Sequence, residues 1–258
     1  MNQEQKQHLL NCLEQGKRYD GRGLLEWRSV TVEQGISANA EGSARVFFGK
    51  TQVMAGVKLA LEKPYEDTPD SGNLMVNAEL YPLSSPFFEP GPPPEQGIEM
   101  ARVIDRGIRE SHSIDTHKLC LKAGEKVWSV SIDIVSINDA GNLLDAGSFA
   151  ALAALKQSKF PKATDDGVID YAVKTKESLP VDKDPVEITV YKIGNHLLVD
   201  LLPEEEEAAD ARLTVATTKN NTVCALQKGG PAPFTIEEVD TIVGIAIEKA
   251  SDLRKLLK

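Results

Sequence analysis

The stretch from Asp139 to Leu144, read as Asp139, Ala140, Gly141, Asn142, Leu143 and Leu144, sets the first chemical question. A strongly alternating apolar segment runs into Asp139 and Gly141, and an alanine-rich helical pattern follows at once. Backbone N–H groups are therefore expected to converge where strand becomes helix, which is a natural cradle for an anion. A working phosphate site normally adds a hydroxyl and a cation at such a place. Here Asn142, Leu143 and Leu144 stand there instead, so the scaffold of a phosphate site is expected without its chemistry.

Two further groups of residues invite chemistry. Arg102, Arg106 and Arg109 fall at i, i+4 and i+7, which at helical spacing confines them to an arc of ~60°. Met100, Val103, Ile104 and Ile108 take the opposite side, so the arginines face solvent, a partner or an anion. One reading is a solvated face with Asp105–Arg109 and Glu110–Arg106 ion pairs. The other is a stripe of guanidinium forks tracking the phosphates of a single strand. The second group is Glu204, Glu205, Glu206 and Glu207, with Asp200 and Asp210 nearby. Close carboxylates can hold a divalent cation or share a proton, but such a run also suits a solvated acidic loop, and Arg212 brings a fixed positive charge against a metal. His8, His112, His117 and His196 have no ligand spacing. No phosphate-binding Gly-Lys-Ser/Thr loop, dinucleotide glycine fingerprint or nucleophile elbow is present, so neither a cofactor nor a metal is expected.

The elements that must position these residues follow from periodicity. Residues 3–15 place Leu9, Leu10 and Leu13 on one helical face, and the segment from Lys17 to Gly23 reads as a turn. Residues 28–62 read as a meander of three strands with a turn at Gly49 and Lys50. A strand over 74–80 lies between two loops, the second holding Pro86, Pro90, Pro92, Pro93 and Pro94. A helix over 97–111, a strand over 127–137 and a helix over 143–158 come next. Residues 159–184 read as a charged, turn-rich connection. A hairpin over 186–201 turns at Gly194 and Asn195, and strands over 211–216 and 222–227 precede a helix that Thr235 begins. In that helix Ile236, Val239, Ile242, Val243 and Ile247 are expected to be buried, and Glu237 and Glu238 suit its N-terminus. Both halves share the order strands then helix, a weak internal duplication.

At 258 residues with 41% hydrophobic content, the chain can fill the core of one large or two modest domains. Its formal charge of -10 argues against broad binding to nucleic acid or an anionic membrane, so any polyanion contact must be local. Cys12, Cys120 and Cys224 are far apart and odd in number, which suggests neither a disulfide framework nor zinc; small buried apolar residues are the expectation. With a polar N-terminus and no long apolar run, a soluble cytoplasmic protein without a membrane partner is expected.

Three segments together carry a family likeness: Arg18-Tyr19-Asp20-Gly21-Arg22 with Arg28 downstream, Ala40-Glu41-Gly42-Ser43-Ala44, and Phe48-Gly49-Lys50-Thr51-Gln52-Val53. They resemble the opening of RNase PH-type proteins, and the similarity continues through residues 100–109 and 132–150 to the last helix. Within that family the chain is most similar to the non-catalytic RNase PH-type subunits of archaeal exosomes. The resemblance implies an α/β fold of mixed α+β type, the RNase PH-like fold (ribosomal protein S5 domain 2-like). Its two similar β-α-β-α modules pack as one unit: residues 1–158, with the N-terminal helix, and residues 159–258.

It also implies partners: a catalytic RNase PH-type paralogue forming three heterodimers in a hexameric ring, a cap of RNA-binding subunits, and single-stranded RNA. Active members of the family degrade RNA from its 3′ end with phosphate as nucleophile, held by a Gly-Thr/Ser-Arg type cradle and supported by two aspartates six residues apart. Gly141 matches the cradle glycine, while Asn142 and Leu143 stand at the hydroxyl and arginine positions. The aspartate pair falls on Glu206 and Arg212. Asn142, Leu143, Glu206 and Arg212 are therefore degenerate positions, and no catalytic residue is expected. Arg102 matches an upstream phosphate-contacting arginine, and Arg106 and Arg109 continue its face as candidate RNA contacts. The expected role is a structural, RNA-contacting subunit that helps to shape the paired catalytic site. An active phosphate-dependent 3′–5′ exoribonuclease using Glu206 with Arg102, and a pure scaffold without RNA contact, are the alternatives.

Overall fold

The computed structural model describes residue 1, residues 3–163 and residues 168–257. A helix α1 (Gln3–Glu14) opens the chain, and strands β1 (Val30–Gln34), β2 (Gly42–Phe48), β3 (Thr51–Glu62) and β4 (Asn73–Leu80) follow. Helix α2 (Glu95–Glu110), the short β5 (Cys120–Lys122), the long β6 (Lys126–Asn138) and helix α3 (Leu143–Gln157) complete the first half. The second half holds β7 (Lys159–Ala163), β8 (Ile169–Ser178), β9 (Val186–Ile193), β10 (His196–Val199), α4 (Pro203–Ala208), β11 (Ala211–Thr217), β12 (Val223–Gly229) and α5 (Ile236–Arg254).

The first sheet runs β1-β2-β3-β6-β4, with β5 paired to β6 and only the β4–β6 pairing parallel. The second runs β10-β9-β11-β12 and is antiparallel throughout. Helices α2 and α3 lie between the two sheets, and α5 packs on β9 and β11 from the far side. This explains the composition of α3. Residues 145–155 are all buried, and their alanines let both sheets approach one helix closely enough to exclude water. Strand β9 is likewise buried on both faces. Its alternation places Glu187, Thr189 and Tyr191 toward α2 and α3, while Lys192 on the other face pairs with Glu238 of α5 at 2.5 Å.

The N-terminal helix docks through its leucine face: Leu9 and Leu13 join Tyr191, Ile193, Leu198 and Leu201 in a small satellite core. Thr235 caps α5, its hydroxyl accepting from the Glu238 amide at 3.2 Å while the Glu238 carboxylate accepts from the Thr235 amide at 2.9 Å.

Four expectations need correction. The connection expected over 159–184 contains the antiparallel pair β7–β8. Strand β8 exposes nearly every side chain on both faces, so it lacks the alternation by which a half-buried strand is recognised; residues 164–167 lie outside the described residues. The glutamate run is the short helix α4 rather than a loop, with Glu205 wholly buried. Ile236 does not join the buried face of α5 but is 84% exposed; the inward residues are Ile242, Ala246, Ala250 and Leu253. Cys12, Cys120 and Cys224 are free and only half-buried. Among the described residues no helix is long and apolar enough to cross a membrane.

Candidate functional site

The strand-to-helix junction is tied to the rest of the molecule through Asp200, a fully buried carboxylate in left-handed backbone conformation just after β10. Three arginines from the N-terminal segment converge on this turn. Arg28 donates to Asp200 from its amide at 2.8 Å and from Nε and Nη2 at 3.0 and 2.6 Å, and Arg22 Nη1 donates at 2.9 Å. Arg18 donates to the carbonyls of Val199 and Asp200 and forms a fully buried ion pair with Glu205. Burial alone would raise the Asp200 pKa; hydrogen bonds and charge from Arg28, helped by Asn142, more than offset it and hold the carboxyl below its ordinary range. The arginines of the Arg18–Arg22 motif thus do architectural work.

Arg28 also reaches the junction itself, donating to the carbonyls of Ala140 at 2.6 Å and Gly141 at 3.1 Å. Thr51 adds a second strap: its hydroxyl donates to the Gly141 carbonyl at 2.6 Å and accepts from the Ala140 amide at 3.2 Å. Gly141 has φ +86°, and a Cβ there would lie 2.3 Å from the Leu201 carbonyl oxygen, so both conformation and space require glycine.

The anion cradle expected at this junction is present in outline and already filled from within. The amide of Asp139 donates to the Ser84 carbonyl at 2.8 Å, and that of Gly141 to Asp139 Oδ1 at 3.0 Å. The amide of Asn142 donates to Glu206 Oε1 at 2.8 Å, which also accepts from the Tyr191 hydroxyl at 3.1 Å. A carboxylate of the chain itself therefore takes the place at the head of α3 where an external anion would sit. Burial pushes the Glu206 pKa up to about 7, against the lowering effect of the Asn142 amide. Asn142, in left-handed conformation at φ 62°, turns its side chain inward and donates Nδ2 to Asp200 Oδ1 at 3.1 Å.

Beside this junction lies a cleft of about 290 Å³ lined by Met100, Leu143, Leu144, Tyr191, Glu206 and Arg212, among others. The structure thus gathers Leu143, Glu206 and Arg212, separated by up to a quarter of the chain, around one cavity, with Asn142 directly behind it. Leu143 is 6% exposed and packs with the core. Arg212 is bedded on the second sheet opposite Gly229, where a Cβ would lie 1.9 Å from its Nη1. From there its Nη2 donates to Glu99 of α2 at 2.6 Å. Glu99 as the partner of Arg212 had no signal in the sequence, because the two residues meet only when α2 is laid beside β11.

The arginine stripe is exposed, along a groove of about 700 Å³ on the outer face of α2. Its members differ. Arg102 has no hydrogen bond or ion pair among the described residues. Arg106 Nη1 donates to Gln227 of β12 at 3.2 Å rather than pairing with Glu110. Arg109 is held by both oxygens of Asp105, at 3.0 and 2.7 Å, and donates to the Leu74 carbonyl at 3.0 Å. The expected Asp105–Arg109 pair is therefore formed.

Two buried acids escaped the sequence reading. Asp145 on α3 accepts from the Thr189 amide at 2.9 Å and keeps Oδ2 unpartnered, and Glu187 on β9 keeps Oε2 unpartnered. Burial pushes their pKa values up to about 7 and about 8. A carboxyl at an otherwise apolar helix or strand position was the available signal. No group of three or more His, Cys, Asp or Glu among the described residues is arranged to hold a metal ion.

Comparison with known proteins adds to this geometry. Sequence models of the 3′ exoribonuclease family match residues 26–161 (domain 1) and 185–249 (domain 2). The chain is 46% identical over 253 residues to the exosome complex component Rrp42 of Archaeoglobus fulgidus, covering 98% of this chain and 95% of that one. It is 44% identical over 251 residues to the protein of that name from Methanosarcina acetivorans, covering 97% and 92%. Among solved structures, a chain of the Archaeoglobus fulgidus exosome with RNA bound to the active site superimposes with a TM-score of 0.91 at 45% identity, over 99% of this chain and 98% of that one.

Proposed function

The chain belongs to the 3′ exoribonuclease family, and from that premise we propose that it is the non-catalytic, RNA-contacting subunit of an archaeal-type exosome ring. Its relatives are named as exosome components. In this reading three copies alternate with three copies of a catalytic RNase PH-type paralogue, a cap of RNA-binding subunits covers one face, and the assembly works in the cytoplasm. The modules 1–158 and 159–258 form one subunit of that ring.

The observation that carries the non-catalytic reading is the content of the cleft. Phosphorolysis needs a cradle that holds phosphate and acids that support the leaving oxygen. Here the Asn142 amide is spent on Glu206, Leu143 supplies no charge, and Arg212 cannot serve as a proton donor near neutrality. One lost donor in a preorganised charge-stabilising site costs about 100-fold or more, and several are missing together. RNA contact rests on the outer face of α2, where among the described residues Arg102 is unpaired and Arg106 is held only by a neutral amide. The competing scaffold reading draws on Arg109, whose charge is consumed within the subunit.

Reconstitution tests the proposal. Adding the full chain to a catalytic RNase PH-type partner should produce a mixed ring and raise phosphate-dependent RNA degradation. Exchanging Arg102 and Arg106 for Glu should leave assembly intact while weakening RNA binding. No mixed assembly and no stimulation would overturn the reading; intact assembly with unchanged RNA affinity would leave the scaffold.

A further inference from the structure

The groove on α2 and the cleft beside α3 share one residue, Glu99, which lines both. At helical spacing Glu99, Arg102 and Arg106 stand in a row one turn apart, within an arc of ~60°. Arg212 closes the end of this row from the second sheet, its guanidinium seated on Gly229 and one nitrogen donating to Glu99. Nε and Nη1 of Arg212 have no hydrogen-bond partner among the described residues, and the side chain remains 21% exposed. The order along the surface is therefore Arg106, Arg102, the Glu99–Arg212 pair, then the cleft.

We infer that Arg212 is a further RNA-contacting residue: a phosphodiester strand lying on Arg106 and Arg102 continues to Arg212, whose guanidinium exchanges Glu99 for a phosphate oxygen. The proposal rests on the RNA-contacting reading of α2 and extends it. A guanidinium presents five donors in a fixed fork, and Glu99 engages only Nη2, so a phosphate can be met at Nε, on the same edge of the fork, before Glu99 is released. The pair is partly exposed, Glu99 at 37%, so separating it costs little compared with a buried pair. Glu206 also lines the cleft, already occupied by the Asn142 amide and the Tyr191 hydroxyl. The arginine that cancels the chemistry of the cleft thus gains a use as the inner end of a binding track.

The test exploits a difference of sign. If the Glu99–Arg212 pair were only a structural strap, removing either partner would act in the same direction. If it guards a phosphate contact, Arg212→Gln weakens RNA binding, whereas Glu99→Gln strengthens it by freeing the arginine. The full chain is titrated with single-stranded RNA between 50 and 200 mM salt, and folding is checked by thermal melting, with Arg212→Lys as the conservative variant. Loss of one phosphate contact lowers the salt slope by about 0.7, so the fall in affinity across that range shrinks by about 2.5-fold in Arg212→Gln. Arg212→Lys should restore most of the slope, and Glu99→Gln should tighten binding about twofold at low salt.

Shifts of the same sign in both variants, or no shift in either while Arg102→Gln weakens binding, would overturn the inference and leave the reading of α2 standing. No effect from Arg102→Gln as well would remove both. Unchanged RNA affinity with weakened association to the catalytic partner would assign the pair to a protein interface, and would equally overturn it.

Discussion

The head of α3 and the outer face of α2 treat charge in opposite ways. At the head of α3 the amides of Asp139, Ala140, Gly141 and Asn142 all have acceptors from the chain itself, and Asp200 is surrounded by Arg22, Arg28 and Asn142. None of these four amides is left over for a substrate. Along α2, among the described residues, Arg102 is unpaired and Arg106 meets only a neutral amide. In the proposed reading a site without chemistry closes on its own groups, because buried polar groups are costly unless satisfied. In the same reading a binding face keeps its donors unspent, because water satisfies them until a ligand arrives.

The sharpest way to break that contrast is to open the closed side. Asp200→Ala removes the common acceptor of Arg22, Arg28 and Asn142 and leaves the buried Arg28 guanidinium without a carboxylate, so it should lower unfolding stability by about 3–5 kcal/mol in urea titrations. Equivalent loss from Arg102→Ala would erase the distinction, since an exposed, unpaired arginine should change stability by less than about 0.5 kcal/mol.

Next in size is the pH dependence of the interior. Glu187, Asp145 and Glu206 have folded pKa values raised to about 8, about 7 and about 7. Between the ordinary carboxylate range and those values the native state binds more protons than the unfolded chain. Their stabilising contribution is therefore complete below the ordinary range and lost as pH rises through about 7 to 8, by up to about 1.4 kcal/mol per pH unit for each group. Asp200 has the opposite sign: its pKa is lowered, so its contribution is present above the ordinary range and lost in acid. Glu187→Gln should flatten the slope between pH 5 and 8 in denaturant titrations; an unchanged slope would remove Glu187 from the account.

Gly141→Ala follows. With φ +86° and the Leu201 carbonyl 2.3 Å from the new Cβ, it should cost about 2–4 kcal/mol, read as a lowered melting temperature. The smallest effect sharpens the open side from within. Arg109→Gln should change RNA affinity by less than about twofold because Asp105 and the Leu74 carbonyl already hold that side chain. Arg102→Gln should lower the salt slope by about 0.7 in the same titration.

The two regions also differed in how far their sequence could be read. The arginine face follows from spacing, since Arg102, Arg106 and Arg109 are exposed and Met100, Val103, Ile104 and Ile108 buried, as a 3.6-residue period requires. The partners that distinguish the three arginines could not be read, because Gln227 and the Leu74 carbonyl come from the edges of two different sheets. At the head of α3 the strand, the junction and the helix were legible from alternation and alanine content. That Glu206 would fill the cradle was not: periodicity does not report which carboxylate of an acidic run turns inward. The same run became α4 because Glu205 is buried against Arg18 and accepts from the Leu202 amide at 2.8 Å, a tertiary contact overriding a local preference for solvent. Strand β8 was missed for the converse reason, since a strand exposed on both faces has no apolar period to detect.

The claim that joins the two regions is that this subunit binds RNA without cutting it. Its most direct test is phosphorolysis by the purified full chain alone, supplied with single-stranded RNA and inorganic phosphate and followed by release of nucleoside diphosphate. The account predicts no release above the protein-free control while RNA binding remains measurable. Phosphate-dependent release that Glu206→Ala abolishes would contradict it.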